Sequence, residues 1–363
     1  MLVDGLDEIT DPDERKDVLK TVANAGDDYA FVVATRPLHE TELGILGPEV
    51  PRYHLEPFAP DELEHVATGW FTALGVTEPE NGARQFLTAI GRAQLTDLVR
   101  VPLTMSMLCQ LWAREPGGPL PRGRGEIYGH FVESLQARQY HAHALEQARA
   151  AMRQYGSDAE AGAERAVLGL QNMLAAVAHH LLLAKRGDGD RTVLDLVLQH
   201  PGAGRPAAVP KKRWRDFLES ALCGTGLLTR GSDDLVFTHQ TFMEYFAARH
   251  VVGDEARLRV VFRKTFVRPA RYLPGKDLSP GIRPRLPLSR YWKPPRYDPF
   301  DGFLLDLTPQ GHPLKREFLS RMASARAGLD GYDYLGKLTR SGVFLPGDII
   351  VSTVGLLRRL VSD

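Results

Sequence analysis

An apolar run that stops abruptly in an acidic turn, Met1-Leu2-Val3-Asp4-Gly5-Leu6-Asp7-Glu8-Ile9, constrains the fold of this chain more than any other stretch. A buried strand ending there delivers Asp4 at its carboxyl end, where parallel sheets hold ligands. Gly5 permits another group to approach closely, and Asp7 and Glu8 follow near enough to orient a water or take its proton. The competing reading is a surface turn, since Asp-Gly is an ordinary hairpin dipeptide. A calcium loop is excluded. Counted from Asp4, the third and sixth positions are Leu6 and Ile9, where that loop needs an oxygen ligand and a glycine.

The residues that follow favour the strand. Asp11 or Asp13 caps a helix running through Val18, Leu19 and Val22 and ended by Asn24-Ala25-Gly26. Tyr29-Ala30-Phe31-Val32-Val33-Ala34-Thr35 is then a continuous β-branched and aromatic run of strand length, closed by Arg36-Pro37. Strand, helix and strand make a βαβ unit. Near-continuous apolarity predicts a parallel sheet covered on both faces.

Beyond Val50 the pattern becomes helical. Leu63, Val66, Ala67, Trp70, Phe71 and Leu74 carry the spacing of an amphipathic helix, a second helix spans Ala83 to Ile90, and a third follows Val101-Pro102. Residues Gln136 to Glu164 are rich in alanine and charge and read as an exposed helix and loop. From Ala166 a further helical block leads into Trp214-Arg215-Asp216-Phe217-Leu218. Two short apolar runs around Gly231-Ser232-Asp233-Asp234 predict a β-hairpin, followed at once by a helix through Phe242 to Ala248. Helices, hairpin and helix in that order predict a winged-helix module.

Composition excludes several classes. A formal net charge of zero over 363 residues names no partner. The two cysteines, Cys109 and Cys223, form no CxxC pattern and read as inert thiols in apolar surroundings. His141, His143, His179 and His180 lack the i, i+4 spacing and carboxylate partner of a zinc motif. No apolar run reaches membrane-spanning length and no basic leader opens the chain, so the expectation is a cytoplasmic protein without a membrane partner.

Taken in order, several segments resemble the NACHT-type NTPases, a branch of the signal-transduction ATPases with numerous domains that includes the NOD-like receptors. Leu2 to Glu8 is similar to their Walker B strand, and Ala34-Thr35-Arg36-Pro37 to their sensor 1. Val101-Pro102-Leu103 through Cys109 looks like the proline-led helix that follows the core, and Pro121 through Tyr128 like the Pro-xx-Arg-x-Glu-Leu-Tyr helix. Phe237-Thr238-His239-Gln240-Thr241-Phe242-Met243-Glu244-Tyr245-Phe246-Ala247-Ala248 is similar to the family's winged-helix signature. The resemblance implies Asp4 as a Mg²⁺ ligand, Asp7 and Glu8 as catalytic residues, and Arg36, Pro102 and His239 as contacts to bound ATP or ADP. It departs from the family at Ala34, Val101 and Met243, where threonine, asparagine and glutamine are usual.

The implied fold is mainly α with a partial α/β start. Residues 1–50 are the end of a nucleotide-binding domain, 51–156 a helical domain with a connecting helix, 157–253 a winged helix, and 254–363 a basic proline-rich linker and a helical region with no legible repeat period. No GxxxxGK[ST] occurs, so the backbone cradle and lysine that hold phosphates are missing. The nearest glycine-rich turn, Arg122-Gly123-Arg124-Gly125, is too short and has no lysine. The expectation is therefore a NACHT-type protein truncated after its Walker A segment and deficient in ATP hydrolysis. In the full-length form it acts as a nucleotide-controlled signalling or defence switch that self-associates when active and takes an unknown trigger through its C-terminal region. Two alternatives remain: a non-catalytic helical interaction protein, and a winged-helix nucleic-acid binder using Lys211 to Arg215 and the basic residues between Phe262 and Arg296. Nucleic acid is the less favoured partner.

Overall fold

The computed structural model describes residues 1–6, 9, 12–25, 29–35, 40–53, 55–139, 144–183, 191–231, 234–267, 298–323, 328–343, 345–347 and 349–350. The chain divides into two compact units, Met1–Glu56 and Pro57–Asp363, and its described part is mainly helical with a small parallel sheet near the N-terminus.

In the first unit β1 (Leu2–Val3), α1 (Pro12–Asn24) and β2 (Val32–Val33) form the expected βαβ arrangement. The strands are parallel, with Leu2 opposite Val32 and Val3 opposite Val33. Bonds from Val32 N–H to the Met1 carbonyl and from Ala34 N–H to the Val3 carbonyl, 2.9 and 2.8 Å, hold the two strands together. Pairing is shorter than the apolar run from Tyr29 predicts, because β1 offers only two residues before Asp4. One face is also left open: Leu2 and Val32 lie side by side on it, 69% and 67% exposed. Side chains alternate along a strand, so Val3 and Val33 take the opposite, half-buried face. Leu6 and Leu19 supply the buried apolar contacts of this unit. A short helix α2 (Glu40–Leu43) is tied to α1 by an Arg15–Glu42 ion pair of 2.9 Å, and the same guanidinium donates to the Ile9 carbonyl.

In the second unit α3 (Leu63–Ala73) and α4 (Pro79–Arg92) form an antiparallel pair whose turn holds Gly75 at φ +75°. Phe71 meets Phe86 edge-on at 5.6 Å. Next come α5 (Thr96–Val99), α6 (Pro102–Arg114), α7 (Arg124–Gln139) and α8 (Leu145–Met152). Helix α9 (Ser157–Leu183) follows, 27 residues long. Its start does not behave as the alanine-rich composition suggests. Ala148 and Met152 on α8 and Ala159 and Ala163 on α9 are buried, because small side chains let the two helices approach closely.

Helices α10 (Val193–Gln199) and α11 (Lys211–Gly224) precede an antiparallel hairpin of β3 (Leu228–Arg230) and β4 (Leu235–Phe237). Asp234 in the hairpin accepts the Val193 N–H at the start of α10, and the buried Trp214 indole donates to the Ala203 carbonyl at 2.9 Å. Helix α12 (Gln240–Val252) then runs through the centre of this unit between α9 and α14 (Pro299–Leu307). Its buried residues, from Phe242 and Tyr245 through Phe246 to Val251, lie all round its circumference, which marks a helix covered on every side. Helices α13 (Glu255–Phe262), α15 (Pro313–Met322) and α16 (Gly328–Arg340) add an aromatic cluster in which Phe318 meets Phe262, Phe266 and Tyr334.

Candidate functional site

Asp4 leaves the end of β1 exposed, its Oδ1 accepting the Gly5 N–H at 2.9 Å. Gly5 has φ +75°, a left-handed value that favours glycine. Since β1 and β2 are parallel, Asp4 and Thr35 emerge at the same edge of the strand pair. Asp7, Glu8 and Arg36 fall outside the described residues. Magnesium is commonly held by one or two carboxylates with waters and substrate phosphates, so Asp4 suits a single ligand position. The described residues bring no group of three potential metal ligands together, and the sequence has no phosphate cradle. They do not make a complete Mg²⁺-nucleotide site.

Pro102 occupies the first turn of α6 and is exposed, while Thr104, Met105, Met107 and Leu108 behind it are core. Helix α6 packs on α7, and α7 carries Tyr128, which leads to His239. His239 caps α12. Its Nδ1 accepts the Thr241 N–H at 3.2 Å and lies 2.7 Å from Thr241 Oγ1. That hydroxyl oxygen is in turn 2.9 Å from the Tyr128 hydroxyl. A backbone N–H donating to Nδ1 requires a lone pair there, so the network assigns the ring proton to Nε2. The chain of donation runs from Tyr128 through Thr241 to His239 Nδ1 and fixes the ring at the start of α12.

Two of the three described candidates are thus connected through α7, while Asp4 belongs to the other unit. Sequence reasoning named His239 but not the groups that orient it. Thr241 sits two residues beyond the histidine, the reach of a local side-chain to backbone bond, and that spacing was its only local signal. Replacing Thr241 by valine leaves the Tyr128 hydroxyl, on a residue only 2% exposed, without this partner. We expect a loss of about 1–3 kcal/mol in chemical denaturation, the cost of a buried hydroxyl left unpaired. A Thr241→Val protein as stable as the parent would show that the hydroxyl chain does not hold the cap.

The glycine-rich turn before α7 has a different use from the one its composition suggests. Gly125 N–H donates to Asp306 on α14, and a Cβ added at Gly123 or Gly125 would lie 2.9 Å from the Asp306 carboxylate. The positive end of α7 is therefore filled by an anion from within the fold. Between those glycines Arg124 lays its guanidinium over the Phe303 ring, 4.1 Å from the centroid. Arg124 and Tyr128 consequently serve the joint between α7 and α14, while the exposed Glu126 accepts the Arg122 N–H at 2.9 Å.

The other titratable residues singled out from sequence are structural. Burial pushes the Cys109 thiol up to about 12, which keeps it protonated and unreactive. The His179 and His250 rings lie 4.9 Å apart between α9 and α12 without a third ligand among the described residues. Burial, then the neighbouring His250, Arg257 and His180, pulls His179 down to about 4. His141 and His143 lie outside the described residues. No helix among the described residues is long and apolar enough to cross a membrane.

No family model, curated protein or solved structure matches the chain.

Proposed function

We propose that the chain belongs to a nucleotide-controlled switch of the NACHT type, contributing Walker B and sensor 1 strands, a helical domain and a winged helix. The observation that carries this reading is the parallel pairing of β1 with β2. It brings Asp4 and Thr35, the residue before the sensor arginine in sequence, to one carboxyl edge. The order α10, α11, hairpin and α12 supports the winged helix, and the orientation of His239 at the start of α12 supports its role as a contact to nucleotide phosphate. In this reading ADP holds a closed form, exchange for ATP favours an open one that self-associates, and hydrolysis resets it. Such a population shift needs a ligand that binds the two forms differently, and the nucleotide supplies that difference.

These residues include no phosphate cradle, so the expected ATP turnover of this chain alone is nil. Phosphate release that Glu8→Gln abolishes would contradict that. The broader reading is tested by the reading frame upstream of Met1. A GxxxxGK[ST] in frame supports the switch, whereas its absence leaves the non-catalytic helical interaction protein.

The nucleic-acid reading has one observation in its favour. Lys211, Lys212 and Arg213 are exposed on the first turn of α11, the helix that precedes the hairpin. One turn further on, Asp216 is exposed as well, and Glu219 is paired with Arg230 on β3. An acidic residue on the surface that would face a phosphate backbone works against that use.

A further inference from the structure

A groove of about 440 Å³ lies between α4 and the turn that follows α6. One wall is a stripe of α4 carrying Arg84, Thr88 and Arg92 at successive turns, with Gln85 beside it. The other is the Gly117-Gly118 turn, where Gly117 has φ +81° and the side chain of the exposed Glu115 lies against Gly118, 2.9 Å from where a Cβ would stand. Trp112 closes the floor. It is 7% exposed and packs edge-on against Phe86 at 5.9 Å. Its indole N–H meets no acceptor among the described residues and keeps contact with solvent.

The lining is therefore rich in donors. Arg84 and Arg92 have no carboxylate partner among the described residues, and the Thr88 hydroxyl is spent on the Arg84 carbonyl at 2.8 Å. A groove of this kind takes a ligand rich in anionic acceptors. Arg84 and Arg92 are eight positions apart on one helix, a rise of about 12 Å. Carboxylates four residues apart on an extended peptide are separated by roughly 13 Å. Single-stranded nucleic acid fits less well. Base binding relies on an open aromatic face, and Trp112 is too deeply buried to offer one.

We propose that the groove between α4 and the Gly117-Gly118 turn binds an extended acidic peptide. Arg84 and Arg92 each take a carboxylate, and the Trp112 N–H takes a peptide carbonyl between them. The groove lies wholly within the second unit, so the proposal stands apart from the nucleotide switch.

The test is fluorescence anisotropy of a labelled oligoglutamate titrated with the full chain, and of a labelled oligothymidylate in parallel. Oligoglutamate binding is expected, weakened roughly ten-fold by Arg84→Glu or Arg92→Glu alone and lost in the double variant, since each removes a charge-assisted bond. Trp112→Phe keeps the aromatic packing and is expected to weaken binding several-fold. Lys211→Glu with Lys212→Glu, far along the chain on α11, is expected to leave it unchanged. The proposal fails if oligoglutamate does not bind, or if the double reversal on α4 leaves binding intact. It fails equally if the α11 reversal abolishes binding instead, or if oligothymidylate binds more tightly through the same arginines.

Discussion

Replacing Phe303 by alanine should lower the unfolding free energy by about 3–5 kcal/mol, the range for emptying a large aromatic site in a packed core. Phe303 is fully buried and joins three elements at one point. Its ring lies 4.9 Å from Tyr128 on α7 and 5.7 Å from Tyr245 on α12, and Arg124 covers it at 4.1 Å. These neighbours stand on two other helices, α7 and α12, so they cannot close the hole without moving whole elements. The loss should extend to the candidate site, because Tyr128 anchors the hydroxyl chain to Thr241 and His239. Denaturant titration measures the first effect, and amide exchange at Thr241 measures the second. A loss below about 1 kcal/mol would mean that α14 is not part of this core.

Asp301→Asn should do the opposite and stabilise the protein at neutral pH, by about 3 kcal/mol. Burial, then the nearby Asp298 carboxylate, pushes Asp301 up to about 8 from an ordinary 3.8. A folded value above the unfolded one means that the native state holds the proton more tightly. Its contribution is then complete below pH 4 and drains away as the pH rises to 8. At pH 7 the gap is worth roughly 4 kcal/mol at 1.36 per unit, of which burying the asparagine amide N–H groups takes back about 1. Asparagine keeps the shape and cannot ionise.

Two other groups act in the adjoining pH windows. His179, held near 4, gives a folded state that binds fewer protons than the unfolded chain between pH 4 and 6.5, so its contribution rises with pH across that window. Lys315, fully buried and donating to the Thr308 carbonyl at 2.9 Å, is pulled down to about 8 from 10.5 by burial, against the opposing pull of Asp306. It adds stability as the pH rises from 8 to 10.5. The parent should show a stability minimum near pH 8, and Asp301→Asn should remove the fall that leads into it. Melting temperatures across pH 6 to 10 that are flat in the parent, or unchanged in the variant, would rule this out.

Much of the local structure was legible. The helix over Pro12–Asn24, the parallel pairing of its flanking strands, the hairpin around Gly231 and the helix after His239 all follow from apolar period, caps and turn residues. The length of β2 was not, because pairing length depends on the partner strand and not on β propensity. In the alanine-rich segment the burial of Ala148, Met152, Ala159 and Ala163 was not legible. Alanine contributes little to an apolar pattern, yet it is the residue that lets α8 and α9 pack closely.

The site divides along the same line. Asp4, Pro102 and His239 stand where strand end, helix start and hairpin end put them, because those positions depend on neighbours in sequence. That His239 Nδ1 is held through Thr241 by Tyr128, that Asp306 fills the glycine turn before α7, and that Arg84 and Arg92 face a groove beside Trp112 depend on residues far away along the chain. The Gly125 to Asp306 contact spans 181 positions and the Tyr128 to Thr241 bond spans 113. Sequence by itself determined which elements form and in what order, since backbone preference and period act over a few residues. Only the tertiary structure decided which polar groups are satisfied and which still face solvent, because hydrogen-bond partners in a packed interior are assigned by how the helices dock.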